Sequence, residues 1–273
     1  MSHVPAERCL SIIELLAESA GSLSLGEIAE RLQLPKSATH RLLTTLIAVG
    51  WAEQDNDTGF YRLTMRLATL GQQFYVASGI PDVCQPFLDR VAQHSGDFAR
   101  LSVVDGDSLV WVAHSQGALQ GLVYQPSLAS NTVPLYATAT GKAWLATLDP
   151  EEALRKVRKQ GGFKDADRYG PNVVRSEDAL LREIKATARR GYGMAMSEAE
   201  PGVNALAAAI RSQSQGRAVG TVSIAGPSVR MTERRVREIA PSLIQTASEM
   251  AALWPLRPRA RADATPGNVA QAA

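Results

Sequence analysis

A chain of 273 residues with 45% hydrophobic residues, 21% charged residues and a formal net charge of +2 has the make-up of an ordinary globular protein. Its length predicts about two domains. No apolar run reaches the roughly 20 residues a membrane span needs and the N-terminus lacks a signal peptide's basic-then-apolar order, so a cytoplasmic protein without a membrane partner is expected. Cys9 and Cys84 lie far apart without Cys-x-x-Cys spacing, which argues against a disulfide scaffold or a zinc site and leaves both as buried apolar residues.

The first element is a helix over residues 5 to 20, where Cys9, Ile12, Ile13, Leu16, Ala17 and Ala20 recur at helical spacing. Ser24 and Glu27 then have capping-box spacing, and Ile28, Ala29 and Leu32 line one face of a second helix. Leu34-Pro35 breaks it, proline suits the first turn of a third, and Gly50 is placed to end that one. Thr39, Leu42, Leu43, Leu46 and Ile47 turn inward on the third helix and leave Lys36, Ser37, Ala38, His40, Arg41 and Thr44 outside. These short or bidentate side chains suit a DNA major groove. Downstream, Trp51-Ala-Glu-Gln and Phe60-Tyr-Arg-Leu flank the turn-rich Asp55–Gly59 run, which reads as a hairpin. Three helices and a hairpin give the winged helix-turn-helix order, with Arg62 on the wing as a phosphate contact.

Charge limits this module. Residues 1 to 75 hold six Arg or Lys against eight Asp or Glu, with the cations local at Arg31, Lys36, Arg41, Arg62 and Arg66. Nonspecific affinity should be modest, and a dimer is needed to gather enough phosphate contacts.

Residues 64 to 79 put Leu67, Leu70, Phe74 and Tyr75 on one face of a connecting helix, and Pro81 begins another with Val83, Phe87, Leu88 and Val91. From Phe98 the period changes to that of a hairpin turning at Asp105-Gly-Asp-Ser. Strands are expected at 193 to 197, 203 to 210 and 218 to 225. Helices are expected at 139 to 148, 150 to 160, 176 to 190 and 232 to 253, the last kinked or divided by Pro241. This order predicts an α+β protein whose mainly antiparallel sheet carries packed helices. The expected boundaries are a DNA-binding domain at 1 to 63, a linker helix at 64 to 79, a sensing domain at 80 to 256, and a disordered tail at 257 to 273.

Several features invite enzymatic readings and do not sustain them. Thr138-Ala-Thr-Gly-Lys142 lacks the earlier glycine of a phosphate-binding loop and has Ala143 where a hydroxyl would hold magnesium. His3, His40, His94 and His114 show no metal spacing, and there is no Gly-x-Ser-x-Gly nucleophile motif. No cofactor, metal or catalytic residue is expected, and Trp111 and Trp144 read as core.

The runs LPKSATHRLLTTL, PLYATATGKAWLA at 134 to 146, RGYGMAMSEAEPGVNALAAAI at 190 to 210 and VGTVSIAGPSVRM at 219 to 231 make the chain resemble the IclR family of bacterial transcriptional regulators, from its start to about Trp254. The resemblance implies a winged-helix domain, a linker helix and a GAF-like effector-binding domain, assembled as a homodimer or dimer of dimers on double-stranded operator DNA. It also implies an effector site at Ala139, Thr140, Gly141, Ala195 or Met196, Ser197, Ala205, Ser223 and Ala225. Family members that sense glyoxylate or pyruvate carry an acidic residue, a cysteine and hydroxyls at several of these positions, whereas this chain keeps only Thr140 and Ser223 as polar groups. Each polar ligand atom buried unmet costs about 1 to 3 kcal/mol, so the expected effector is an organic acid with apolar or aromatic bulk. Its carboxylate would lie at the N–H groups that open the helix at 139. Two readings stay open beside a ligand-responsive regulator of a catabolic operon, acting as repressor or activator: a sensing or oligomerisation module with vestigial DNA binding, and an unrecognised enzyme.

Overall fold

The computed structural model describes residues 4–19, 21–117, 120–126, 132–212 and 216–254. The expected tail at 257 to 273 and Ala20 lie outside them. Two compact units divide between Ala77 and Ser78.

The first unit runs α1 (Val4–Glu18), α2 (Leu25–Arg31), α3 (Lys36–Ala48), β1 (Ala52–Gln54), β2 (Tyr61–Leu63) and α4 (Arg66–Ala77). Ile12, Leu16, Ile28, Leu43 and Leu46 close a core with Leu23, Ala52 and Tyr61. Cys9 is half-buried, while Ala17 is exposed. The capping box forms: Glu27 N–H donates to Ser24 Oγ at 3.2 Å and Ser24 N–H donates to Glu27 Oε2 at 2.8 Å. Two of the orphan donors at the start of α2 are met this way. Asp55 Oδ1 accepts from the N–H groups of Asp57 and Thr58, and Gly59 takes φ +70°, so the wing turn is built by its own side chains. Leu23 pairs with Tyr61 in both directions, at 2.9 and 2.8 Å, tying the wing to the segment that enters α2.

The second unit contains α5 (Ile80–Ser95), β3 (Phe98–Asp105), β4 (Ser108–Gln116), α6 (Ala139–Leu145), α7 (Pro150–Lys159), a 3-10 turn at Ala166–Arg168, α8 (Glu177–Arg190), β5 (Gly193–Met196), β6 (Val203–Arg211), β7 (Ala218–Pro227) and α9 (Glu233–Ala252). Its sheet has the order β4-β3-β7-β6-β5 and every pair is antiparallel. Strand alternation gives one face Ala195, Ala205, Ala207, Ser223, Ala225, Phe98 and Arg100, and α6 packs there through Ala139 and Ala143. The other face carries Leu206, Ala208, Ile210, Val222 and Ile224, all buried, and α5 and α9 also pack on the sheet.

Two expectations about helices are corrected. The helix from 139 ends at Leu145 rather than 148, because Thr147 N–H and Leu148 N–H bond three residues back, to Trp144 and Leu145, and tighten the end before Pro150. Pro241 does not divide α9, which runs unbroken to Ala252. Its ring lies on the exposed side, and the buried Ile239, Ala240 and Leu243 hold the helix down on either side of the lost hydrogen bond.

Candidate DNA-reading and ligand-sensing sites

The outer face of α3 presents Lys36, Ser37, His40, Arg41 and Thr44 exposed and Ala38 half-buried, over an anchor of buried Thr39, Leu43 and Leu46. Thr39 Oγ1 donates to Pro35 O at 3.1 Å, which reconciles a polar residue with complete burial. Lys36 and Arg41 have no ion-pair partner among the described residues, so both charges are available to a phosphate or a base edge. Thr44 Oγ1 donates to His40 O at 2.9 Å and keeps only acceptor capacity for a partner. Ile47, expected inside, is 37% exposed.

The wing arginines divide. Arg62 Nε donates to Glu53 Oε1 at 2.6 Å, and that carboxylate holds the guanidinium above its ordinary pKa. Arg66 instead donates from Nη1 to Val49 O at 3.0 Å and lies over the Trp51 ring. It satisfies a carbonyl at the end of α3, a structural use of a charge that the sequence places with the cations of the module.

In the second unit four of the expected effector residues, Ala195, Ala205, Ser223 and Ala225, share one sheet face, and Ala139 packs against it from α6. The rows across it are Ala195, Ala205, Ala225, Phe98 and Gln116, then Gly193, Ala207, Ser223, Arg100 and His114. Ala139 and Ala195 fill one another's space in a tight alanine cluster with Ala143 and Ala207. The approach of α6 is closer than any side chain permits. A Cβ on Gly193 would lie 2.2 Å from Ala139 O, and one on Gly141 would lie 2.2 Å from Leu135 O. Some of the alanines thus serve packing, and the more open part of the face lies toward Ala205 and Ala225, both half-buried.

Met196 pairs with Asn204 and points to the opposite face from Ala195, as strand alternation requires. Ser197 has left the strand at φ +52°, with its N–H bonded to Asn204 Oδ1 at 2.9 Å. The helix start is also a weaker anion site than its sequence implies: Thr138 Oγ1 accepts from Gly141 N–H at 2.9 Å, so the protein caps its own helix there. Thr140 is buried, and its hydroxyl has no hydrogen-bond partner among the described residues. Ser223 Oγ makes only a long bond, 3.4 Å, to Arg100 O.

Three groups on or beside this face escape the sequence reading. Lys142, 1% exposed, pairs with Glu198 and donates to Met194 O at 3.1 Å, locking α6 to the end of β5. Arg100 lies 4.4 Å from the Trp111 ring centroid and 5.2 Å from that of Phe98. Burial pulls its pKa below that of an ordinary arginine. Tyr124 meets Phe98 edge-on and donates to Glu200 Oε2 at 3.0 Å. Trp144 is core, as expected, whereas Trp111 is half-buried on the face.

Among the described residues no helix is long and apolar enough to cross a membrane and no cluster of metal-ligating side chains occurs. Comparison with known proteins agrees with the two-unit architecture. The family described as bacterial transcriptional regulator IclR C-terminal matches residues 73–252, and the IclR helix-turn-helix domain matches residues 5–56. The HTH-type transcriptional regulator BhcR of Paracoccus denitrificans is 30% identical over 244 residues, covering 89% of this chain and 85% of that protein. Transcriptional repressor IclR of Escherichia coli is 28% identical over 243 residues, covering 89% and 87%. A crystal structure of an IclR homologue from Microbacterium hydrocarbonoxydans, complexed with 4-hydroxybenzoate, has the same fold with a TM-score of 0.70 at 24% identity, covering 91% of this chain and 99% of that one. With an exposed reading helix, a wing and a sheet-based sensing unit in one chain, the protein belongs to the IclR family and is a ligand-responsive, DNA-binding transcriptional regulator.

Proposed function

We propose that the effector is a carboxylate with apolar or aromatic bulk and that it binds on the sheet face beside α6, near Thr140, Ala205, Ser223 and Ala225. The observation that carries this reading is the row of Ala205, Ala225 and Phe98 across that face, more open at Ala205 and Ala225 than the packed Ala139 and Ala195, with the Ser223 hydroxyl in the next row. A two- or three-carbon acid has no apolar part with which to cover that row. Burying an aromatic ring instead contributes on the order of 2 kcal/mol, a factor of roughly 30 in affinity. The homologue solved with 4-hydroxybenzoate is a protein of this fold holding an acid of that class.

On the DNA side, Arg41 and His40 read bases while Lys36, Ser37 and Arg62 hold phosphates, and two copies joined through α4 bind a palindromic site. The regulated genes belong to a neighbouring catabolic operon. The test is a footprint on the DNA upstream of the protein's own gene, followed by effector titration. Benzoate-like acids should change operator occupancy at lower concentration than glyoxylate or pyruvate, and the reverse order would refute the reading.

A further inference from the structure

We propose that Arg100 is the cation that receives the effector's carboxylate, an inference that rests on the reading of the effector as an acid with apolar bulk. In β3 this arginine stands directly opposite Ser223 of β7 and His114 of β4, so it shares the face on which Ala205, Ser223 and Ala225 lie. A guanidinium carries five N–H donors in a planar fork suited to a carboxylate. Those of Arg100 meet no acceptor among the described residues. The other half-buried arginines of the same unit all have one: Arg190 pairs with Glu183, Arg230 with Asp97 and Arg235 with Glu238.

What holds Arg100 is aromatic. Its guanidinium lies against the Trp111 ring, and the Phe98 ring beside it stacks on His114 with centroids 5.3 Å apart. These contacts fix its position without neutralising its charge. A desolvated charge without a counter-ion is unfavourable, and an arriving anion relieves that. Trp111 adds a second unmet group, since its Nε1 is a buried donor with no hydrogen-bond partner. The ligand's ring then lies along the row of Phe98, Ala225 and Ala205, and its acid end meets Arg100 rather than the self-capped start of α6.

The full-length protein is titrated with benzoate and with benzamide, its neutral isostere, following tryptophan fluorescence and calorimetry, with 4-hydroxybenzoate, phenylacetate and glyoxylate alongside. Wild-type protein should favour benzoate by about thirtyfold, the scale of charge-assisted hydrogen bonding. Arg100→Met should bind benzoate no better than benzamide, and Arg100→Lys should recover part of the preference. Circular dichroism melting checks the fold, with Arg100→Gln replacing the Met variant if that one does not fold. If variants that fold keep the wild-type preference, or lose affinity for both compounds equally, Arg100 is structural and the inference is wrong while the effector reading survives. If wild-type protein binds glyoxylate but no aromatic acid, or binds none of the panel, the effector reading fails and takes the inference with it.

Discussion

Arg62 and Glu53 stand directly opposite each other on the two strands of the wing, joined by a 2.6 Å hydrogen bond from Nε to Oε1. Both side chains are at least half exposed, so water and salt weaken the pair and a phosphate can compete for the guanidinium. If Arg62 holds a phosphate as proposed, Glu53 competes with that phosphate for its guanidinium. Glu53→Gln should tighten binding to operator and unrelated duplexes alike by a few fold. Arg62→Ala should weaken both, lowering the slope of log affinity against log salt by about 1. Fluorescence anisotropy over a salt series checks this, and a Glu53→Gln protein that binds more weakly than wild type would contradict it.

Arg41 is exposed on α3 with no competing carboxylate among the described residues. Arg41→Ala should cost about 1 to 3 kcal/mol on the operator and relax preference at one base pair. Competition between single-base variants of the site measures it. Unchanged operator binding by Arg41→Ala would remove Arg41 from the reading helix's contacts.

No residue of α4 is buried, and Leu67, Leu70 and Phe74 expose 38%, 41% and 75% of their surface along one side. Such a face is costly in water and is the expected seam between two copies. Phe74→Glu should leave the thermal transition nearly unchanged while shifting sedimentation at micromolar concentration toward monomer and weakening operator binding. A variant that remains as dimeric as wild type would place the seam elsewhere.

Asp107, in the turn between β3 and β4, accepts at 2.8 Å from both Lys156 and Lys159 of α7. The two ammonium groups hold its carboxyl well below the ordinary value of 3.8. For an acid with a depressed folded-state value, the stabilisation is present above 3.8 and is lost as pH falls through and below it. Asp107→Asn should cost about 1 kcal/mol near neutral pH, since water still reaches the carboxylate. Urea unfolding at a series of pH values should show that deficit shrinking as the solution becomes more acid.

The features legible in the sequence are those whose cause is local. Ser24 and Glu27 are three residues apart, and the Asp55 turn and the spacing of Leu43 and Leu46 are equally short-range. Arg100 was not legible, because its meaning comes from strands that pair across 123 residues, as in its contact with Ser223. The choice between Ala195 and Met196 likewise needed the register of β5 with β6. In the sequence Arg66 reads as one more cation of the module, whereas in the fold it donates to the carbonyl of Val49, 17 residues away.

Lys142 and Glu198, 56 residues apart, form the charged clamp between α6 and the end of β5, next to Thr140. Burial pushes Glu198's carboxyl above its ordinary value of 4.5 despite the pull of Lys142, so the pair persists against a desolvation cost. Removing one partner should hurt more than removing both. Lys142→Met leaves a buried carboxylate without its cation and should cost about 3 to 5 kcal/mol at neutral pH, whereas Lys142→Met with Glu198→Leu should recover most of that loss. The pH dependence has a definite sign. In Lys142→Met the folded-state value of Glu198 rises further, and an acid raised in the folded state contributes stability that is full below 4.5 and is lost as pH climbs through the raised value. The deficit relative to wild type should therefore grow from pH 4.5 toward neutrality in the single variant and should not grow in the double one, which has lost the titrating carboxyl. Losses that simply add, with no difference in pH profile between the two variants, would mean that Lys142 and Glu198 act independently.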